Sequence, residues 1–167
     1  MKIKILFILL IFNGLICQAQ KNALWNVTIG YGHLEKFHAG IDCRKNNYSV
    51  GFNFSNSFGM TYFSSYYSGF SIGVNKYIGP KDKADLSKFY INARLIYYNK
   101  GDELVQIKAL MFGNTVGRSF FLVHRMGINI DVGYAINLQY KLINHTESLI
   151  KVPFITPELR LQVFNLF

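Results

Sequence analysis

From Trp25 onward the chain alternates with a period of two. Large apolar side chains occupy every second position and small polar ones fill the positions between. The clearest run sets Met126, Ile128, Ile130, Val132 and Tyr134 against Gly127, Asn129, Asp131, Gly133 and Ala135. A period of two places alternate side chains on opposite faces of an extended strand, whereas a helix would repeat near 3.6. After the first nineteen residues, no stretch approaches the ~18 uninterrupted apolar residues that mark a transmembrane helix. The chain is therefore committed to β-structure.

Taken in order, the same rhythm gives eight strands. Trp25, Val27, Ile29 and Tyr31 form one face of the first. Phe37, Ala39, Ile41 and Cys43 form a face of the second, and Tyr48, Val50, Phe52 and Phe54 of the third. Between these two, Lys45-Asn46-Asn47 reads as a tight turn, because asparagine tolerates positive φ. An aromatic and serine-rich stretch, 56–68, is expected as a loop. Phe70, Ile72 and Val74 mark the fourth strand, and a polar connection over 79–87 precedes Phe89, Ile91, Ala93, Leu95 and Tyr97 of the fifth. Asn99 to Asp102 turns the chain into a sixth strand within 104–121, whose phase slips near Phe112–Gly117, the mark of a bulge. A short turn at 123–125 leads to the seventh strand, a long loop is expected over 141–156, and the eighth strand ends the chain.

Alternation alone leaves open which face is inside. A soluble sandwich or lipocalin-like barrel hides the apolar face and shows the polar one to water. Here the polar phase is mostly Gly, Ser, Asn and Thr, with few of the charges a solvated face carries. Small polar residues suit the crowded interior of an eight-stranded barrel. Antiparallel closure also satisfies every backbone group, as hydrocarbon requires. The expectation is an all-β fold: an eight-stranded antiparallel up-and-down transmembrane β-barrel. Short links near 44–47 and 122–125, and the 79–87 link, fall at the end holding both termini. The loops near 56–68, 99–103 and 141–156 fall at the other end.

The final strand carries the most specific signal. Leu159, Leu161 and Val163 alternate with Glu158, Arg160 and Gln162, and the sequence finishes on Phe167. This resembles the C-terminal strand of bacterial outer-membrane β-barrel proteins, with Asn165 departing from the apolar or aromatic residue usual at that position. With the eight-strand pattern, the whole mature chain resembles the small OmpA-like barrels. The resemblance implies that Leu159, Leu161, Val163 and Phe167 form a signal for the barrel-assembly machinery.

At the other end, Lys2 and Lys4 precede an apolar run from Ile5 to Ile16, and Cys17-Gln18-Ala19 offers small residues for cleavage. These are the parts of a secretory signal peptide over 1–19, leaving a single domain over 20–167. The run is too short to span a bilayer, and the bulky Ile16 ahead of Cys17 weighs against a lipoprotein site. Cleavage leaves 16 basic residues against 9 acidic, a formal charge of +7. Export makes nucleic acid an unsuitable partner; outer-membrane lipids and the phosphates of lipopolysaccharide suit the charge. Cys43 remains alone, so no intramolecular disulfide is expected.

Six charged residues fall in the polar phase: Asp42, Arg44, Arg94, Asp131, Glu158 and Arg160. In a membrane barrel they point into the lumen, where isolated charge is very costly. They are expected to form an ion-pair network plugging a lumen too narrow for an open channel. Lipid A deacylases and palmitoyltransferases share this barrel size, so a lipid-modifying enzyme stands as the alternative, beside a narrow channel or small-ligand carrier. A serine hydrolase needs a serine, a histidine and an orienting acid within reach. His145, Glu147 and Ser148 are close only in sequence, and His38 shares a phase with Asp42 without a serine beside it. No catalytic, metal or cofactor site is expected. The preferred reading is a non-enzymatic monomer contacting an external partner through loops 56–68 and 141–156, with Tyr62, Phe63, Tyr66 and Tyr67 as contact candidates.

Overall fold

A computed structural model describes residues 23–57, 66–81, 87–101, 105–123, 125–144 and 153–167. The proposed signal peptide lies outside the described residues. Eight strands follow in order: β1 Leu24–Gly32, β2 Lys36–Lys45, β3 Tyr48–Asn56, β4 Tyr66–Lys81, β5 Ser87–Gly101, β6 Val105–Val123, β7 Met126–Asn144 and β8 Ile155–Leu166. Each pairs antiparallel with the next, and β8 pairs with β1, closing an up-and-down barrel. Closure leaves no sheet edge. Phe167 completes the seam, since its backbone exchanges hydrogen bonds with Trp25 at 2.8 and 3.0 Å.

The tight turn expected at Lys45-Asn46-Asn47 is present as a two-residue link, Asn46-Asn47, since Lys45 still belongs to β2, and Asn46 takes φ 56°. Other boundaries moved. β4 begins at Tyr66 and runs to Lys81, so Tyr66, Tyr67 and positions 79–81, expected in connections, are strand residues. β5 continues through Gly101 and β7 through Asn144, which shortens the loops expected at 99–103 and 141–156. The bulge expected near Phe112–Gly117 is absent, because β6 alternates without a break from Ile107 to Phe120. The register shift lies instead across from Leu110 and Met111, which pair with Gln139 and Asn137 and leave Leu138 as the extra residue on β7. A second irregularity falls between Phe121 and Val123.

The open question of polarity is decided on every strand. Ile29, Ile41, Phe52, Ile72, Leu95, Val116, Val132 and Leu161 stand exposed on the outer wall. In the alternate phase, Thr28, His38, Ser49, Ser71, Arg94, Thr115, Asp131 and Arg160 are buried in the interior. This inverts the arrangement of a water-soluble barrel. The strands also differ in length: β1–β3 have 9 or 10 residues, whereas β6 and β7 have 19. At the end opposite the termini the β4–β7 wall therefore rises above the β1–β2 turn.

Candidate functional site

That height difference lets the β1–β2 turn fold inward. Leu34 is buried against Tyr67, Ile96, Tyr98, Ile107, Ala109, Met111 and Ala135, an apolar layer across the upper lumen. Glu35 follows Leu34 into the interior and is fully buried. Its Oε2 accepts hydrogen bonds from Arg94 Nη1 at 3.0 Å and Arg160 Nη1 at 3.2 Å, and its Oε1 accepts one from Ser71 Oγ at 2.5 Å. Arg160 Nε also donates to Asp131 Oδ2 at 2.9 Å, and Arg94 pairs with Glu158. Asp131, Arg160, Glu35, Arg94 and Glu158 thus form one chain of alternating charge.

Burial would raise the Glu35 carboxyl, but Arg94, His38 and the hydrogen bond from Ser71 outweigh it, so its pKa lies below the ordinary carboxylate value. Glu35 sits on the turn rather than on a strand, and it stays ionised in the middle of the network. Buried charges of this kind are stable only when paired and hydrogen-bonded. Glycines make room for the long guanidinium arms: a Cβ at Gly113 would stand 3.3 Å from Arg94 Cγ, and one at Gly32 3.3 Å from Arg160 Cγ.

Below the charged layer lies a hydrogen-bonded one. Asn92 Nδ2 donates to Asn75 Oδ1 at 2.6 Å, and Asn75 Nδ2 to Ser49 Oγ at 2.8 Å. A cavity of about 30 Å³ remains among Asn26, Thr28, Asp42, Asn53, Asn75 and Asn92, room for about two waters at ~15 Å³ of such space each. Phe121, Phe164 and Leu166 close the lower end with an apolar floor. Among the described residues, then, the lumen is filled by four successive layers.

Of the six charged residues picked out by phase, all take the inward phase, and Arg94, Asp131, Glu158 and Arg160 join the network. Asp42 and Arg44 do not. Asp42 Oδ2 accepts from Asn26 Nδ2 at 2.8 Å, and the Arg44 guanidinium lies over the Tyr77 ring at 3.6 Å. Glu35, at the centre, was missed because a turn has no period to assign it a face. Its only sequence signal is an apolar–acidic pair, Leu34-Glu35, inside an unusually short link.

The loop candidates separate. Tyr67 is buried and stacked on Tyr98, so it is a lumen residue and not a surface contact. Tyr66 stays on the outer wall, its hydroxyl donating to Asn99 Oδ1 at 3.4 Å. Tyr62 and Phe63 lie outside the described residues, as do His124, His145, Glu147 and Ser148. His38 is buried, its Nε2 2.9 Å from Gln162 Nε2 and its Nδ1 3.2 Å from the Lys36 carbonyl. Cys43 is a free thiol on the outer phase. No group of residues able to hold a metal ion occurs among the described residues. Leu159, Leu161, Val163 and Phe167 all project from the outer wall.

No protein-family model, curated protein or solved structure matches this chain.

Proposed function

We propose that this protein is a non-enzymatic outer-membrane β-barrel, a monomer similar in plan to the OmpA-like barrels. In this reading it is exported by a signal peptide over 1–19 and acts as an envelope component whose loops meet an external partner. The observation that carries this is the inverted polarity: a predominantly apolar wall outside and paired charges inside. In water such a wall would drive aggregation; in a bilayer it is the stable arrangement, and closure satisfies the backbone. The plugged lumen supports a structural or contact role over a conducting one. His38, tied to Gln162, supports a structural role for that residue. The contact surface is narrowed to the loops, with Tyr66 at their base.

Membrane fractionation with gel mobility before and after boiling tests the location. The expected result is an outer-membrane protein whose folded form migrates differently until boiled. Recovery as a soluble periplasmic protein of unchanged mobility would overturn it. Mass spectra of lipid A from cells with and without the protein test the role, and an unchanged acyl pattern is expected. A changed pattern would establish the lipid-modifying alternative.

A further inference from the structure

The Leu138 bulge changes which face β7 presents. Below it, Ile130, Val132, Tyr134 and Ile136 face outward. Above it, one residue of slip turns Leu142 into the apolar layer of the lumen and brings Gln139 and Lys141 to the outer wall. There Lys141 stands directly opposite Lys108 of β6, as register partners on one face. Like charges in that position repel and weaken a sheet. The described carboxylates offer no relief, since Glu35, Asp42, Asp131 and Glu158 all turn into the lumen.

The surroundings are graded. One rung of the wall reads Leu95, Phe112 and Ile136; the next reads Tyr97, Leu110 and Gln139; the next reads Asn99, Lys108 and Lys141. The lysines therefore stand where the apolar wall ends, with a groove of about 160 Å³ between them, Tyr97 and Leu110. Paired ammonium groups above an apolar groove match a phosphate headgroup above an acyl chain.

Resting on the membrane reading, we infer that Lys108 and Lys141 form a binding site for a phosphate of the phosphorylated saccharolipid in the outer leaflet. The anion relieves the repulsion between the lysines, and one acyl chain lies along Tyr97 and Leu110. The termini stand at the other end of the barrel, so under that reading this rung faces the outer leaflet, where the phosphate is carried by saccharolipid.

The test is native mass spectrometry of the full chain refolded into phosphatidylcholine vesicles. These are doped with lipid A, dephosphorylated lipid A or phosphatidylglycerol, and insertion is checked by heat-dependent gel mobility. The native chain is expected to retain lipid A in preference to both other lipids. K108Q and K141Q should each lower that retention about fivefold, as expected at ~1 kcal/mol for a lysine near anionic headgroups. K76Q, at the other end of the outer wall, should leave it unchanged. Insertion with equal retention by the native chain and K108Q/K141Q overturns this assignment alone. Phosphatidylglycerol held as well as lipid A overturns the choice of saccharolipid. A chain that enters no vesicle overturns the membrane reading itself.

Discussion

Glu35 and Arg94 lie 59 positions apart in the chain and meet inside the barrel, Oε2 to Nη1 at 3.0 Å. The backbone ladder ties each strand only to its two neighbours. This contact joins the β1–β2 turn to β5, across the lumen from it in the ring. With Arg160 on the same oxygen, the carboxylate acts as a brace between walls that share no ladder.

Removing that carboxylate should be costly. Glu35→Ala takes from the buried Arg94 and Arg160 the carboxylate they share, leaving each with one partner, Glu158 and Asp131, and breaking a buried pair in this way costs about 3–5 kcal/mol. Urea unfolding of the refolded barrel, followed by loss of the heat-dependent mobility shift, should give a midpoint well below that of the native chain. Glu35→Gln, which keeps the shape and part of the hydrogen bonding, should fall between. An unchanged midpoint for Glu35→Ala would refute the brace.

Phe167 closes the β1–β8 seam through two backbone hydrogen bonds to Trp25. Deleting it forfeits both, about 1 kcal/mol each, and removes the aromatic proposed to be read during assembly. Export should continue while the folded fraction drops. Quantifying folded and unfolded bands in the envelope checks this, and normal folded levels would argue against the assembly signal.

Gly117 faces the Tyr90 ring and Asp131 at close quarters, and a Cβ there would collide with both. The ring is wedged against Tyr77 and cannot swing away freely. Gly117→Ala should therefore destabilise by about 1–3 kcal/mol, the usual cost of overpacking. Gly79→Ala makes a useful contrast. A Cβ there would make only an ordinary contact, 3.9 Å from Phe89 Cδ2, but its φ is +87°, so its cost would be backbone strain without a steric clash. Denaturant midpoints compared with the Asp131→Asn background should show coupling for Gly117 and none for Gly79.

Trp25 is the one tryptophan in the sequence and lies on the outer phase of β1, opposite Cys43. On refolding into vesicles its fluorescence should shift to the blue. Lipids brominated near the headgroup end of the acyl chain should quench it. Emission that ignores the brominated lipid would contradict an outer wall in contact with the bilayer.

The alternation of Met126 through Tyr134 and its counterparts was enough, from sequence, to define eight strands, their two faces and the charges bound to share one of them. Period two is a local property, set by the geometry of an extended chain. Where the period ended, so did what could be read. Tyr67 sits in a serine-rich stretch that resembles a loop, and only pairing with Lys100 of β5 makes it strand. Lys141 belongs to the outer wall because one extra residue at Leu138 flips the phase, and that depends on the register against β6. Glu35 entered the lumen because the walls around its turn are taller than the strands it joins. Which face is inside, which charges meet and where a phase reverses depend on contacts between distant segments, and those exist only once the barrel has closed.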